Sequence, residues 1–424
     1  MGTLTLTADQ QEAESKIIAF LMDPAEVVFV LEGYSGTGKS TLVKSLIERI
    51  PNIQKTIKLL NAKASVQAME ILLTATTNKA AENFSLITGL PAGTIHSALG
   101  LMVRTDFSTG ETSVTINKRR VNDPVTHKIL FIDEASYIDS KLLSLIFKQT
   151  KYCKIILIGD PAQLTQVKSV GAPVFSANFP KATLSEVVRQ TSEVGKPLHP
   201  ITDLATKFRH TVNTGEFFNF KPDGHHIQLL DRDAFNERLL VEFKRDGWRH
   251  RDSKMLAWTN KCVVSYNQAI AEEVRQTPDF QVGDYAICNK FVTKGGQTIK
   301  TDQQVRITGI GPQDVHHFVK GRVFTLNDTM NFFFPNSMAE KSLRLKEAQA
   351  GNEWQVSQEI TNEWIDLRHE YAQTVNKSQG STYDMVFIDL DDISRCNSGD
   401  QIARMLYVAV SRARNHVFLT GDLV

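Results

Sequence analysis

The segment Gly33-Tyr34-Ser35-Gly36-Thr37-Gly38-Lys39-Ser40 constrains this chain more than any other stretch of it. It fits the pattern G-x-x-x-x-G-K-[ST], follows the apolar run VVFVLEG and precedes the helix-like stretch TLVKSLIERI. A strand that turns through glycines into a helix aims several backbone N–H groups and a helix N-terminus at one point, which makes a cradle for phosphate. In such a cradle Lys39 reaches the β and γ oxygens of a nucleoside triphosphate and the Ser40 hydroxyl ligates Mg²⁺. Gly33, Ser35, Gly36, Thr37, Gly38, Lys39, Ser40 and Thr41 are therefore candidate nucleotide-binding residues, and ATP with Mg²⁺ is the expected cofactor pair.

The surrounding text agrees with an α/β fold. VVFVLEG, AMEILLTATT (ending at Thr77), HKILFIDEAS (ending at Ser136) and CKIILIGD (ending at Asp160) are apolar runs that close on Gly, Ser, Thr or Asp. That is the pattern of buried parallel strands with ligand loops at their carboxyl ends. Asp133 and Glu134 end the third run, so with a phosphate loop upstream they read as a Walker B pair. Asp133 is assigned to the metal, and Glu134 to orienting and deprotonating the attacking water. The fourth run leads into Gly159-Asp160-Pro161-Ala162-Gln163-Leu164. A Gly-Asp-Pro turn is a common way to leave a strand. Here Gln163 is a candidate sensor of the γ-phosphate, because a neutral amide both donates to phosphate and accepts from water.

A second α/β pattern opens at SKMLAWTN (Ser253 to Asn260) and resumes with DMVFIDL (Asp384 to Leu390) and HVFLTGD (His416 to Asp422). From about Gln281 to Trp364 the text changes to short β-like runs broken by Gly, which predicts an inserted β module. Its Phe332-Phe333-Phe334 run is expected as a buried strand rather than an exposed hook. A smaller insert, Arg104 to Asp123, reads as a hairpin carrying the basic trio Lys118, Arg119 and Arg120, either a solvated face or a working surface.

With 424 residues, 42% apolar and 22% charged, the composition is that of a globular protein of two to four domains. No run of about 18 apolar residues offers a membrane span. The start, Met1 to Gln10, shows no leader pattern. Cys153, Cys262, Cys288 and Cys396 form no C-x-x-C pair, so neither a zinc site nor a disulfide framework is indicated. A cytoplasmic location is expected, in the host cytoplasm for a phage-encoded chain.

Taken in order, these residues resemble the superfamily 1 helicases, most nearly the Dda- and RecD-like branch. The resemblance rests on Leu6-Thr7-x-x-Gln10, GYSGTGKS, TATTNKAA (Thr74 to Ala81), GTIHSAL (Gly93 to Leu99), DEAS, GDPAQL, LSEVVRQ (Leu184 to Gln190), AWTNK (Ala257 to Lys261), TVNKSQGST (Thr374 to Thr382) and LYVAVSRAR (Leu406 to Arg414). It implies two RecA-like P-loop domains with parallel sheets, a pin in the first and an SH3-like insert in the second. The first domain is placed at 1–186 with the pin at about 100–124, the second at 187–281 and 365–424, and the SH3-like insert at 282–364.

The same resemblance implies roles for further residues. Gln10 would read the adenine edge, Arg189 and Arg412 would enter the ATP cleft as arginine fingers, and Gly380 would touch nucleotide. Thr77, Asn78, Thr94 and His96 in the first domain and Thr374, Asn376 and Lys377 in the second would grip DNA. Lys118, Arg119 and Arg120 would belong to the pin that separates strands. The other main branch carries an aromatic before the first finger arginine, where this chain has Val188, so discrimination among purine triphosphates would rest mainly on Gln10.

The activity implied is ATP-dependent, 5′-to-3′ translocation on single-stranded DNA with unwinding of duplex, in phage replication or recombination. The implied partners are single-stranded and duplex-junction DNA, with a single-strand binding protein or replication proteins as further candidates; the chain is expected to be a monomer independent of membranes. A net charge of +1 decides little, since a motor must release DNA at every step and a groove can be locally basic on a neutral protein. Two other readings stand beside this one: a translocase that displaces bound proteins, and a passive single-strand binder with a vestigial ATP site. A P-loop kinase or ring ATPase explains Lys39 and Asp133 but not TVNKSQGST or SRAR.

Overall fold

The computed structural model describes residues 6–60, 69–105, 112–116, 124–164, 172–186 and 198–423. The chain divides into two compact units, Met1–Phe218 with Ala403–Ser411, and Asn219–Ile402 with Arg412–Val424.

The first unit is built on a six-stranded sheet in the order Lys181–Leu184, Val28–Gly33, Lys154–Gly159, Lys128–Asp133, Glu70–Ala75, Ala92–Thr94. Every pairing in it is parallel. Successive side chains on a strand point to opposite faces, so a strand covered on both sides must be apolar throughout. Phe29, Leu31, Phe131, Ile156 and Ile158 accordingly pack on one face with Ile17, Phe20, Leu42, Leu46 and Phe84 from the covering helices. Val28, Val30, Leu130, Ile132, Ile155 and Leu157 pack on the other with Leu142, Ile146 and Val174. Burying a side chain of this size contributes about 1.5–3 kcal/mol, which makes the central strands the rigid base on which the loops at their carboxyl ends stand.

The hairpin region has Leu101–Thr105 paired antiparallel with Thr112–Ile116. Lys118, Arg119 and Arg120 lie outside the described residues, as do Val188 and Arg189.

The second unit carries a five-stranded, all-parallel sheet in the order Ile227–Leu230, Ala413–Thr420, Tyr383–Asp389, Ser253–Ala257, Ala372–Thr374. Helices Arg232–Phe243 and Asn260–Arg275 bury Phe235, Leu239, Phe243, Val263 and Ile270 against Met255, Phe387 and Phe418. A separate antiparallel sheet joins Met330–Pro335, Val319–Leu326, Gln304–His316, Tyr285–Cys288 and Leu367–His369. In it Phe332 and Phe333 are buried.

The inserted β module differs from its reading in the sequence in two respects. The insert expected as β through 364 instead turns helical at Met338–Ala350 and Trp354–Asn362. Its sheet is completed by Leu367–His369, beyond the expected end. No helix among the described residues is long and apolar enough to cross a membrane.

Candidate functional site

In the first unit the phosphate loop leaves Val28–Gly33 and enters helix Lys39–Leu60, with Ser40 and Thr41 in the first turn. Gly36 and Gly38 have φ of 84° and 80°, the left-handed region that glycine enters without a Cβ penalty. At Gly38 a Cβ would also sit 2.4 Å from Gln10 Nε2. Gln10 Nε2 donates to the Thr37 carbonyl at 3.1 Å, and its Oε1 accepts from Thr7 N at 3.0 Å within a capping box. The amide expected to read adenine thus braces the phosphate loop against the start of helix Ala8–Met22. These two bonds leave it one N–H and one carbonyl lone pair for a base edge. Lys39 Nζ donates to the carbonyls of Gly33 and Tyr34 at 2.6 and 3.0 Å, and the Arg209 guanidinium lies 3.7 Å from the centre of the Tyr34 ring.

Asp133 ends its strand, and Glu134 follows in the left-handed region at φ 55°. A non-glycine residue held there is strained, and such strain persists only where the surroundings fix it. They do so here. Glu134 N–H donates to Asp133 Oδ1 at 2.8 Å, and the Thr76 hydroxyl donates to the Glu134 carbonyl at 3.1 Å. Thr74, on the same side of its strand, donates to the Phe131 carbonyl at 2.8 Å. The alternating threonines of TATT therefore clamp the Walker B strand end, a job the sequence reading did not give them.

Burial pushes the Asp133 carboxyl up to about 7, the Glu134 charge adds to the rise, and the Glu134 N–H and Lys39 oppose it. A carboxylate whose charge is this costly is suited to a cation. The Ser40 hydroxyl and the Asp133 carboxylate are hard oxygen donors of the kind that Mg²⁺ takes.

Gln163 is buried, and its carbonyl accepts from Arg404 Nη1 at 3.0 Å; the same nitrogen donates to the Pro161 carbonyl at 2.7 Å. Asp160 Oδ1 accepts from Ala162 N at 2.9 Å, and its Oδ2 accepts from the Tyr407 hydroxyl at 2.6 Å. Ser35 N–H donates to that hydroxyl at 2.9 Å. Arg404, Tyr407 and Asp160 were missed in the sequence because an acid in a turn and a tyrosine on a helix carry no motif that links them. In the second unit Arg412 is buried, with Nη1 donating to the Ser381 carbonyl at 3.1 Å, and Gly380 has φ 78°.

The residues expected to grip DNA share one local device. Thr77, Thr94 and Thr374 are each the N-cap of a helix, their hydroxyls accepting from the N–H of Ala80, Ser97 and Lys377. Asn78 opens helix Asn78–Thr88, and His96 lies in Ile95–Ala98. Asn376 and Lys377 lie in Val375–Ser378. Partial burial lowers the His96 pKa, opposed by the Asp139 carboxylate. Lys377 Nζ donates to Asp302 Oδ1 at 2.7 Å and to Asn289 Oδ1 at 3.0 Å, two further residues that no motif announces.

Residues 5–203 match the model of an AAA domain, and residues 369–420 that of the UvrD-like helicase C-terminal domain. The chain is 25% identical over 463 aligned residues to the ATP-dependent DNA helicase Dda of Enterobacteria phage T4, covering 97% of this chain and 98% of that one. It is 29% identical to the ATP-dependent RecD2 DNA helicase of Deinococcus radiodurans, over 39% of this chain and 20% of that one. A Pif1 helicase from Bacteroides, crystallised with ADP-AlF3 and single-stranded DNA, shares the fold with a TM-score of 0.53 at 15% identity, over 99% of this chain and 93% of that one. A Pif1 structure at forked duplex DNA gives 0.55 at 17% identity, with the same two coverages of 99% and 93%. With two RecA-like parallel sheets, a phosphate loop in the first, and a relative that aligns with it end to end, the chain is similar over its whole length to the Dda-type DNA helicases of superfamily 1.

Proposed function

We propose that this chain is an ATP-dependent motor that moves 5′ to 3′ along single-stranded DNA and unwinds the duplex ahead of it. The observation that carries the reading lies in the first unit. Lys39, Asp133, Glu134 and Gln163 stand at the carboxyl ends of three neighbouring strands, Val28–Gly33, Lys154–Gly159 and Lys128–Asp133. That is where ligands bind in open parallel sheets.

In this reading Lys39 exchanges its loop carbonyls for phosphate oxygens, Glu134 orients the attacking water and takes its proton, and Gln163 touches the γ-phosphate. Ser40 and Asp133 hold Mg²⁺, which when bound neutralises charge on the phosphate oxygens. Arg189 and Arg412 supply positive charge against the negative charge that builds up on the transferring phosphoryl group; such fingers contribute about 10³- to 10⁵-fold in rate. The division into motor domains at 1–186 and at 187–281 with 365–424 belongs to the same proposal. So do a strand-separating pin at about 100–124 carrying Lys118, Arg119 and Arg120, and an SH3-like module at 282–364. Thr77, Asn78, Thr94, His96, Thr374, Asn376 and Lys377 grip the DNA backbone.

The test is unwinding of matched duplexes bearing a 5′ or a 3′ single-stranded tail, with Lys39→Ala as the blank. Unwinding of the 5′-tailed substrate alone, lost in Lys39→Ala, is expected; preference for the 3′ tail would overturn the polarity. Glu134→Gln is expected to bind ATP without turnover.

A further inference from the structure

We propose that Tyr407 is a positioning residue for ATP hydrolysis, coupling the phosphate loop to the turn that carries Gln163. The inference rests on the reading of the nucleotide site given above.

Tyr407 lies on helix Gly399–Val410, and its hydroxyl uses both of its capacities at once. Its oxygen accepts from the Ser35 N–H at 2.9 Å, and its proton goes to Asp160 Oδ2 at 2.6 Å. Ser35 is in the phosphate loop; Asp160 opens the turn that ends in Gln163. A hydroxyl bonded to a carboxylate that is 1% exposed is held strongly and directionally, since such bonds are short and little screened by water. Its neighbour one turn earlier grips the same segment. Arg404 precedes Tyr407 by three residues, so the two share a helix face, and its guanidinium holds the carbonyls of Pro161 and Gln163.

The turn is thus held at both ends, at Asp160 by Tyr407 and at Gln163 by Arg404. The helix that holds it is itself fixed, with Met405, Leu406, Val408, Ala409 and Val410 all buried. A shift of the Ser35 backbone when the loop takes phosphate is passed through one oxygen to Asp160 and so to Gln163. The Ser35 N–H is also one of the loop amides that phosphate seeks, so the Tyr407 hydroxyl and an incoming phosphate contend for it. Two residues past the end of the helix comes Arg412, which gives the LYVAVSRAR segment a second duty besides carrying that arginine.

The experiment compares wild type, Tyr407→Phe, Gln163→Ala and the double variant in DNA-stimulated ATP hydrolysis, with the thermal unfolding midpoint of each. Tyr407→Phe removes one oxygen and keeps the ring. Its kcat is expected to fall about tenfold, as for loss of a charge-assisted hydrogen bond, with KM for ATP changed less than about threefold. If Tyr407 acts through Gln163, the double variant stays within about twofold of Gln163→Ala alone. A wild-type kcat in Tyr407→Phe overturns the inference, as do multiplicative losses in the double variant, or a fall in kcat matched by a rise in KM and a drop in midpoint. Gln163→Ala with wild-type kcat would overturn both the coupling and the sensor assignment. A wild-type protein without DNA-stimulated hydrolysis would overturn the proposed function itself.

Discussion

At the edge of each parallel sheet the chain makes the same turn. In the first unit a three-residue strand, Ala92–Thr94, runs into the four-residue helix Ile95–Ala98; in the second, Ala372–Thr374 runs into Val375–Ser378, with the same lengths. A threonine caps both helices, and each edge strand pairs in parallel with a neighbour, Ala75 opposite Thr94 and Ala257 opposite Thr374. Those neighbours also end alike, in Thr77-Asn78-Lys79 and Thr259-Asn260-Lys261, where Thr77 and Thr259 cap the helices that follow. The polar equipment differs. The first edge presents His96, whose imidazolium is disfavoured by burial, and the second presents Lys377, an ammonium engaged by Asp302 and Asn289. If these edges hold DNA as proposed, one scaffold offers it a neutral grip in one unit and a charged, restrained grip in the other. Under the proposed function, grips of unequal strength would let one unit hold DNA while the other slides.

The largest expected effect tests the charged edge. Lys377→Ala should weaken single-stranded DNA binding about ten- to a hundredfold, the range for a lost charge-assisted bond. It should also lower the slope of log affinity against log salt by about 0.7, as one phosphate contact is lost. Fluorescence anisotropy titrations over a salt series measure both. Thr94→Ala should leave that slope unchanged, and equal slopes in the two variants would break the comparison.

Next in size are the caps. Thr94→Ala and Thr374→Ala should each lower stability by about 1 kcal/mol, read as unfolding midpoints, with serine at either position restoring most of it. A loss in DNA affinity that serine does not restore would assign the threonine methyl, rather than the cap, to the grip.

Smaller still is the restraint on Lys377. Its pairing with Asp302 is partly exposed and so worth little, about 0.2–1 kcal/mol for pairs of this kind. Asp302→Asn should tighten DNA binding no more than about fivefold at low salt. Weaker binding would show that Asp302 orients Lys377 for phosphate rather than holding it back.

Much of this symmetry was hidden in the sequence for a physical reason. The central strands announce themselves because both faces are buried and every residue must be apolar, as in Phe29-Val30-Leu31 or Ile155-Ile156-Leu157-Ile158. Edge strands of three or four residues, Ala92–Thr94, Ala372–Thr374, Lys181–Leu184 and Ile227–Leu230, have no such run and exist through the partner they pair with. Helix Met338–Ala350 was legible and overlooked. Ser337 and Glu340 stand at capping-box spacing, and Ser337 accepts from the Glu340 N–H. The phosphate loop and Walker B residues were legible because their chemistry is local. The bond between Tyr407 and Asp160 was not, since 247 positions separate them and neither residue has an unusual sequence setting.

The smallest expected effect sharpens the neutral side of the comparison. Because the folded-state pKa of His96 lies below its ordinary value of about 6.5, the unfolded chain takes up the proton first as pH falls. Stability from this group is therefore full above about pH 6.5 and declines on acidification below it, the sign expected when the unfolded state binds more protons. His369 in the second unit, also held down by burial, contributes in the same direction. His96→Gln should consequently reduce, without abolishing, the drop in unfolding midpoint between pH 7.5 and pH 5.5. A larger drop in His96→Gln would mean that the imidazole is held charged in the folded protein, its pKa raised rather than lowered. The first edge would then grip phosphate through a cation, and Thr94→Ala would be the wrong control for Lys377→Ala.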